Sequence, residues 1–188
     1  MKYLMLSVGL LCAGTFSQAA VVVYGASLSA EAVGATGVGS VTVTIDDGAN
    51  TMRVQADFSG LSGATTVAHM HAPTTVAGSG TAVVATTTPS FGGFPTAVTA
   101  GSMDETYDMT LTASFRSGYI TANGGSTATA FTAFKSALAE GKAYFNVHTT
   151  TFPGGEVRGF LTAVPEPSTI VLSGAAGAFF ALRRRRRA

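Results

Sequence analysis

Two runs of strict alternation flank a polar turn in the first third of the chain. Val41-Thr42-Val43-Thr44-Ile45 alternates apolar with polar, Asp46-Asp47-Gly48-Ala49-Asn50 follows, and Met52-Arg53-Val54-Gln55-Ala56-Asp57-Phe58 alternates again. A period of two puts apolar side chains on one face of a pleated strand and polar ones on the other, so these residues predict a hairpin with one buried face. Val21–Tyr24, Val67–His71, Thr81–Thr86, Met109–Phe115, Ala143–Thr149 and Glu156–Thr162 read as further strands, rich in β-branched and aromatic residues. One stretch has a different period. Phe131, Phe134 and Leu138 recur at i, i+3 and i+7, Lys135 and Glu140 lie off that stripe, and Gly141 stands as a stop, which predicts one short helix near Thr127–Glu140. Ser79–Gly101 has no clear period, and Phe91-Gly92-Gly93-Phe94-Pro95 within it reads as an exposed loop. Seven or eight short strands with a single helix predict an all-β fold, an antiparallel β-sandwich.

The two ends of the 188-residue chain do not follow this pattern. At the front, Lys2 is followed by the apolar run Leu4 to Leu11 and by Ser17-Gln18-Ala19, the order of a secretory signal peptide with a small-x-small cleavage site. Export is therefore expected, with residues 1–19 removed. Cys12, the one cysteine, falls inside that segment with Leu11 before it, where a lipoprotein signal needs a small residue. The mature domain is then expected to fold without a disulfide. At the back, Val164-Pro165-Glu166-Pro167-Ser168 is followed by the apolar run Thr169 to Leu182 and by Arg183 to Arg187. Prolines end any strand or helix running into them. The apolar run is short for a span of ~20 residues, but arginine side chains that reach to the interface extend it. This ending resembles the PEP-CTERM sorting tail. The resemblance makes Pro165, Glu166 and Pro167 the sorting motif and exosortase the processing partner. It implies a transient hold in the inner membrane through residues 169–182, then delivery to the cell surface or release. Three segments follow: signal peptide 1–19, β-domain 20–163, sorting tail 164–188.

Removing the ends changes the charge. The formal +1 of the whole chain rests on Lys2 and the five terminal arginines; between them five basic side chains face ten carboxylates, leaving the exported part at −5. A mildly acidic domain excludes nucleic acid as a partner and disfavours anionic membrane surfaces.

Candidate chemistry concentrates on three histidines. His69 and His71 sit in Ala68-His69-Met70-His71-Ala72-Pro73, and His148 in Tyr144-Phe145-Asn146-Val147-His148-Thr149, ahead of Phe152-Pro153-Gly154-Gly155-Glu156-Val157-Arg158-Gly159. On a strand, residues two apart share a face, so His69 and His71 project together while Met70 turns to the core. In the hairpin around Pro153-Gly154-Gly155, Phe145 and Val147 take the core face. Tyr144, Asn146 and His148 take the other, where Glu156 and Arg158 are expected to stand across from them. These blocks, with Leu138 to Tyr144 and Tyr107 to Phe115, resemble the signature of the CHRD domain, named from chordin and found in many secreted bacterial proteins. The resemblance spans about Val21 to Leu161. It implies an immunoglobulin-like β-sandwich, similar in a limited way to copper/zinc superoxide dismutases, with no settled activity.

Two readings of the histidines follow. In one, they form a hydrogen-bonded polar cluster with Asn146, Glu156 and Arg158 that fixes strand register, Glu156 accepting from a histidine or from Arg158 and Asn146 bridging. In the other, His69, His71 and His148 are the minimum ligand set for copper or zinc with one position open. A bridged copper/zinc pair would need a fourth histidine and an aspartate ligand that the pattern does not supply. Gly-x-Ser-x-Gly, His-Glu-x-x-His, a phosphate loop and a mature cysteine nucleophile are missing from the sequence. The expected function is an exported, non-enzymatic binding or structural module at the cell surface or in extracellular polysaccharide, recognising polysaccharide or surface proteins. The alternative is a metal-binding protein with redox activity.

Overall fold

The computed structural model describes residues 20–165; the expected signal peptide, Glu166, Pro167, the apolar run and the arginines lie outside the described residues. Eight strands run in chain order: β1 Val21–Ala30, β2 Val38–Asp46, β3 Thr51–Ser59, β4 Thr65–His71, β5 Gly101–Asp108, β6 Tyr144–Thr149, β7 Val157–Phe160 and β8 Thr162–Ala163. Two helices, α1 Ser117–Ala122 and α2 Thr127–Ala139, lie between β5 and β6. Every strand pairing is antiparallel, and the order β4-β6-β7-β1-β2-β3-β5, with β8 also on β1, gives one curled, half-barrel sheet. This is the all-β, sandwich-like fold that the alternation predicts.

The β2–β3 hairpin forms in the expected register, with Val43 opposite Val54 and Ile45 opposite Met52. Asp46 Oδ1 accepts from the backbone N–H groups of Gly48 and Ala49, 2.9 Å each, so this aspartate is spent on the turn. Val41, Val43, Ile45, Met52, Val54, Ala56 and Phe58 are all buried in the concave core. Each large apolar side chain so buried contributes about 1.5–3 kcal/mol. Helix α2 buries Phe131, Phe134 and Leu138 in that core, as its stripe predicts. Ser126 and Thr129 form its capping box. Gly141, at φ +66°, closes the other end, its N–H donating to Leu138 O while the Lys142 N–H reaches Ala137 O.

Three local expectations fail. Residues 91–95 form a loop but not an exposed one, because Phe91 packs against Phe145 and Tyr107 and Phe94 against Phe58, which buries both aromatic side chains in the core. Thr81–Thr86 is not a strand; it touches β4 through an isolated bridge from Val84 to His71, and the Met70 N–H donates to the Thr86 side chain, 2.9 Å, so no regular ladder builds. Met109–Phe115 has perfect alternation yet turns away, because Asp108 Oδ1 captures both the N–H and the hydroxyl of Thr110 and a short 3-10 turn follows. The strand lies just before it, as β5 on the edge of β3, where five of its eight residues are exposed and only Met103 is buried. Its apolar alternation is too sparse to read. Helix α1 is likewise too short to show a period.

Candidate metal centre

The functional candidates sit where β4 and β6 pair. Val67 stands opposite His148, His69 opposite Asn146 and His71 opposite Tyr144, so His69, His71, Tyr144, Asn146 and His148 share one face while Met70, Phe145 and Val147 pack into the core. All six residues of β6 are buried, because the polar face is roofed by the loops around residues 80–82 and 153–155 as the other face is filled by the core. Ring centroids lie 4.8 Å apart for His69 and His71, 4.7 Å for His69 and His148, and 6.3 Å for His71 and His148. One ring nitrogen from each lies within 4.8 Å of the other two.

The roof sets the tautomers. His71 Nδ1 donates to Ala82 O at 2.7 Å and His148 Nδ1 donates to Pro153 O at 2.8 Å, which leaves a lone pair on each Nε2. Those two Nε2 atoms and His69 Nδ1 are buried without a hydrogen-bond partner. Three unpartnered nitrogens in one small volume are an expensive arrangement for a purely structural cluster, since each unmet buried polar atom costs about 1–3 kcal/mol. Burial pushes the His69 imidazole down to about 3, with the neighbouring His148 and His71 rings adding to the effect. Burial also lowers His71, against the pull of the Ala82 carbonyl. Both rings are thus neutral at ordinary pH, the form that ligates metal.

The surroundings differ from expectation in one carboxylate. Arg158 does stand on the histidine face, opposite Asn146, but Glu156 does not join it. Glu156 is wholly buried on the far side of its hairpin, accepting from the Thr149 hydroxyl at 2.6 Å and from the Ser62 N–H. Burial raises its carboxyl, and those hydrogen bonds outweigh burial and hold it below the usual range. The acid beside Arg158 is Glu31, from the end of β1: Arg158 Nη1 lies 3.1 Å from Glu31 Oε1 and donates to Gly80 O at 3.0 Å. Sequence reasoning missed Glu31, for which the local pattern holds no signal; its backbone N–H bonds Glu156 O, so sheet pairing alone brings it in. Arg158 also lies over the Tyr144 ring, 5.2 Å from its centroid, and Tyr144 stacks on His71 at 4.7 Å and 4°. Asn146 does not bridge as expected: its Oδ1 is buried and unpaired, as is Glu31 Oε2. Both flank Gly155, where φ is +128° and a Cβ would collide with the Glu31 carboxylate and the Asn146 amide. Only glycine lets the hairpin backbone close over the site.

Three imidazoles converging in a roofed pocket suit a borderline metal. A single ion at ~2.0–2.1 Å from each nitrogen brings the nitrogens to about 3.4 Å of one another. From a set already within 4.8 Å, modest ring rotations reach that geometry. Carbonyls behind two of the rings supply the orienting hydrogen bonds such centres use.

Comparison with known proteins gives two matches. The family model described as CHRD domain covers residues 20–161, and the one described as PEP-CTERM protein-sorting motif covers residues 163–187. No curated protein and no solved structure matches the chain.

Proposed function

The chain belongs to the CHRD domain family and ends in a PEP-CTERM sorting motif, and from that premise we propose that it is an exported metal-binding protein whose His69, His71 and His148 hold one copper or zinc ion. The PEP-CTERM motif is the recognition signal for exosortase processing, which fits a transient hold at the inner membrane before the tail is processed. Release at, or attachment to, the cell surface completes the reading. One observation carries the metal: three histidines that each offer a nitrogen within 4.8 Å of the others, each with a buried and unpartnered ring nitrogen, and two with rings locked by backbone carbonyls.

A non-enzymatic surface module binding polysaccharide or surface proteins uses the same export route. It assigns the histidines to strand register, and the orphaned nitrogens count against that assignment. The exported, processed protein, purified without chelator, decides between them. Metal analysis is expected to give roughly one equivalent of copper or zinc per chain. The same sample in which His148→Ala has been introduced is expected to be metal-free. Its intact mass is expected to place the new C-terminus within Val164 to Ser168. A chain still carrying Arg183 to Arg187 argues against sorting, and a metal-free wild-type chain that takes up neither ion on titration argues against the centre.

A further inference from the structure

We infer that the ion this centre favours is monovalent copper, with the Glu31–Arg158 pair keeping its surroundings electrically neutral; the inference rests on the metal reading of the three histidines. The ligand set supplies no negative charge. His69 Nδ1, His71 Nε2 and His148 Nε2 are all imidazole nitrogens, and neither β4 nor β6 carries a carboxylate or thiolate. The charged side chains that reach the same face are Glu31 and Arg158, which cancel each other at 3.1 Å. The remaining nearby acid, Glu156, is turned to Thr149 and Ser62 and fully engaged there.

Moving an ion out of water costs free energy that grows with the square of its charge, so a dication in a neutral, roofed cage is penalised about four times as heavily as a monocation. Zinc(II) or copper(II) would offset that penalty only by drawing a water that ionises, or another anion, into the open position. Copper(I) does not. Imidazole accepts copper, and three nitrogens complete a trigonal shell without a fourth ligand.

The neutral pair makes the inference testable by charge. Glu31 and Arg158 lie on the same face as the histidines, Arg158 two strands from His69 with Asn146 between. At that distance one uncompensated charge changes the affinity for an ion of unlike or like sign by about tenfold or more. In Arg158→Gln the Glu31 carboxylate is left unpaired, and preference is expected to move toward divalent ions; in Glu31→Gln the guanidinium is left unpaired, and preference is expected to move further toward copper(I). Because each tenfold preference between the two copper states shifts a one-electron potential by about 59 mV, the two variants are expected to move the copper midpoint potential in opposite directions.

The experiment uses the exported wild-type protein and both variants, with copper(I) buffered anaerobically by bicinchoninate and zinc(II) buffered by a competing chelator. Wild-type protein is expected to hold copper(I) at least a hundredfold more tightly than zinc(II), a comparison that depends on no variant folding. Equal or tighter zinc binding overturns the inference, as do potential shifts of the same sign in Glu31→Gln and Arg158→Gln. Histidine-dependent zinc binding without copper(I) preference overturns it while leaving the metal centre standing. Failure to bind either ion removes both.

Discussion

On the β2–β3–β5 side of the sheet the polar face looks into water; on the β4–β6–β7 side it is roofed. Both sides are written in the same alternation. Thr44, Arg53 and Thr106 line up across the open side, where Arg53 and Asp104 form a 2.5 Å ion pair with about half of each side chain exposed. On the other side His69, Asn146 and Arg158 line up in an equivalent row, and two of those three are buried. Polar groups on the open face exchange protein for solvent at little cost. Under the roof the same exchange is impossible, so nitrogens without partners persist only where something else satisfies them. That difference is what supports the proposal that the roofed face, and not the more charged open face, carries the function.

The comparison can be broken most directly by metal. If the roofed face is a metal centre, copper or zinc at a thousandfold over its Kd is expected to stabilise the protein by about 4 kcal/mol, because the unfolded chain does not present the three rings together. Urea denaturation with and without metal reads this, and in His69→Ala or His148→Ala the difference is expected to vanish. Stabilisation that survives both substitutions would place the metal elsewhere.

Acid sharpens it next. His69 is held at about 3 in the folded, metal-free protein against 6.5 when unfolded, so the unfolded state binds the extra proton. Stability is then undiminished above pH 6.5 and falls as pH drops below it, by about 2 kcal/mol by pH 5 from this one ring. His71, lowered in the same direction, adds to the slope. Denaturation midpoints across pH 5 to 7 test the sign; a flat profile means that the rings are solvated. Glu156 works in the lower window. Its carboxyl is held below 4.5, so its contribution is present above that value and is lost as pH falls through the folded value.

Glu156→Gln separates scaffold from site. Losing a buried acceptor that ties the Ser62 loop to the hairpin is expected to cost about 1–3 kcal/mol. Metal affinity is expected to stay within about twofold of wild type, since this carboxylate faces Thr149 and not the rings. A large loss of metal would return Glu156 to the centre. The smallest effect belongs to the open face, where Arg53→Ala is expected to leave both the denaturation midpoint and metal affinity unchanged within error, as exposed ion pairs usually do. A clear midpoint shift there would mean that the two faces are less different than their burial shows.

Alternation alone made the β2–β3 hairpin, β4 and β6 readable, and with them the shared face of His69 and His71 and the inward turn of Met70. It also separated the 3.6-residue period of α2 from the strands around it. A repeat of two or 3.6 is a local property, and local properties survive in a sequence. What was misread depended on partners. Met109–Phe115 alternates perfectly but is pulled into a turn by the Asp108 side chain, and β5 is a strand because β3 offers it an edge. Glu156 and Glu31 show the same division more sharply. Both precede or follow strands as single acids, yet one is drawn to Thr149 and Ser62 and the other to Arg158, because the pairing of β1 with β7 brings residue 31 beside a hairpin more than a hundred residues away. The sequence determined which side chains could share a face; which face would be sealed from water, and hence which nitrogens would lack partners, was decided only when distant loops closed over it.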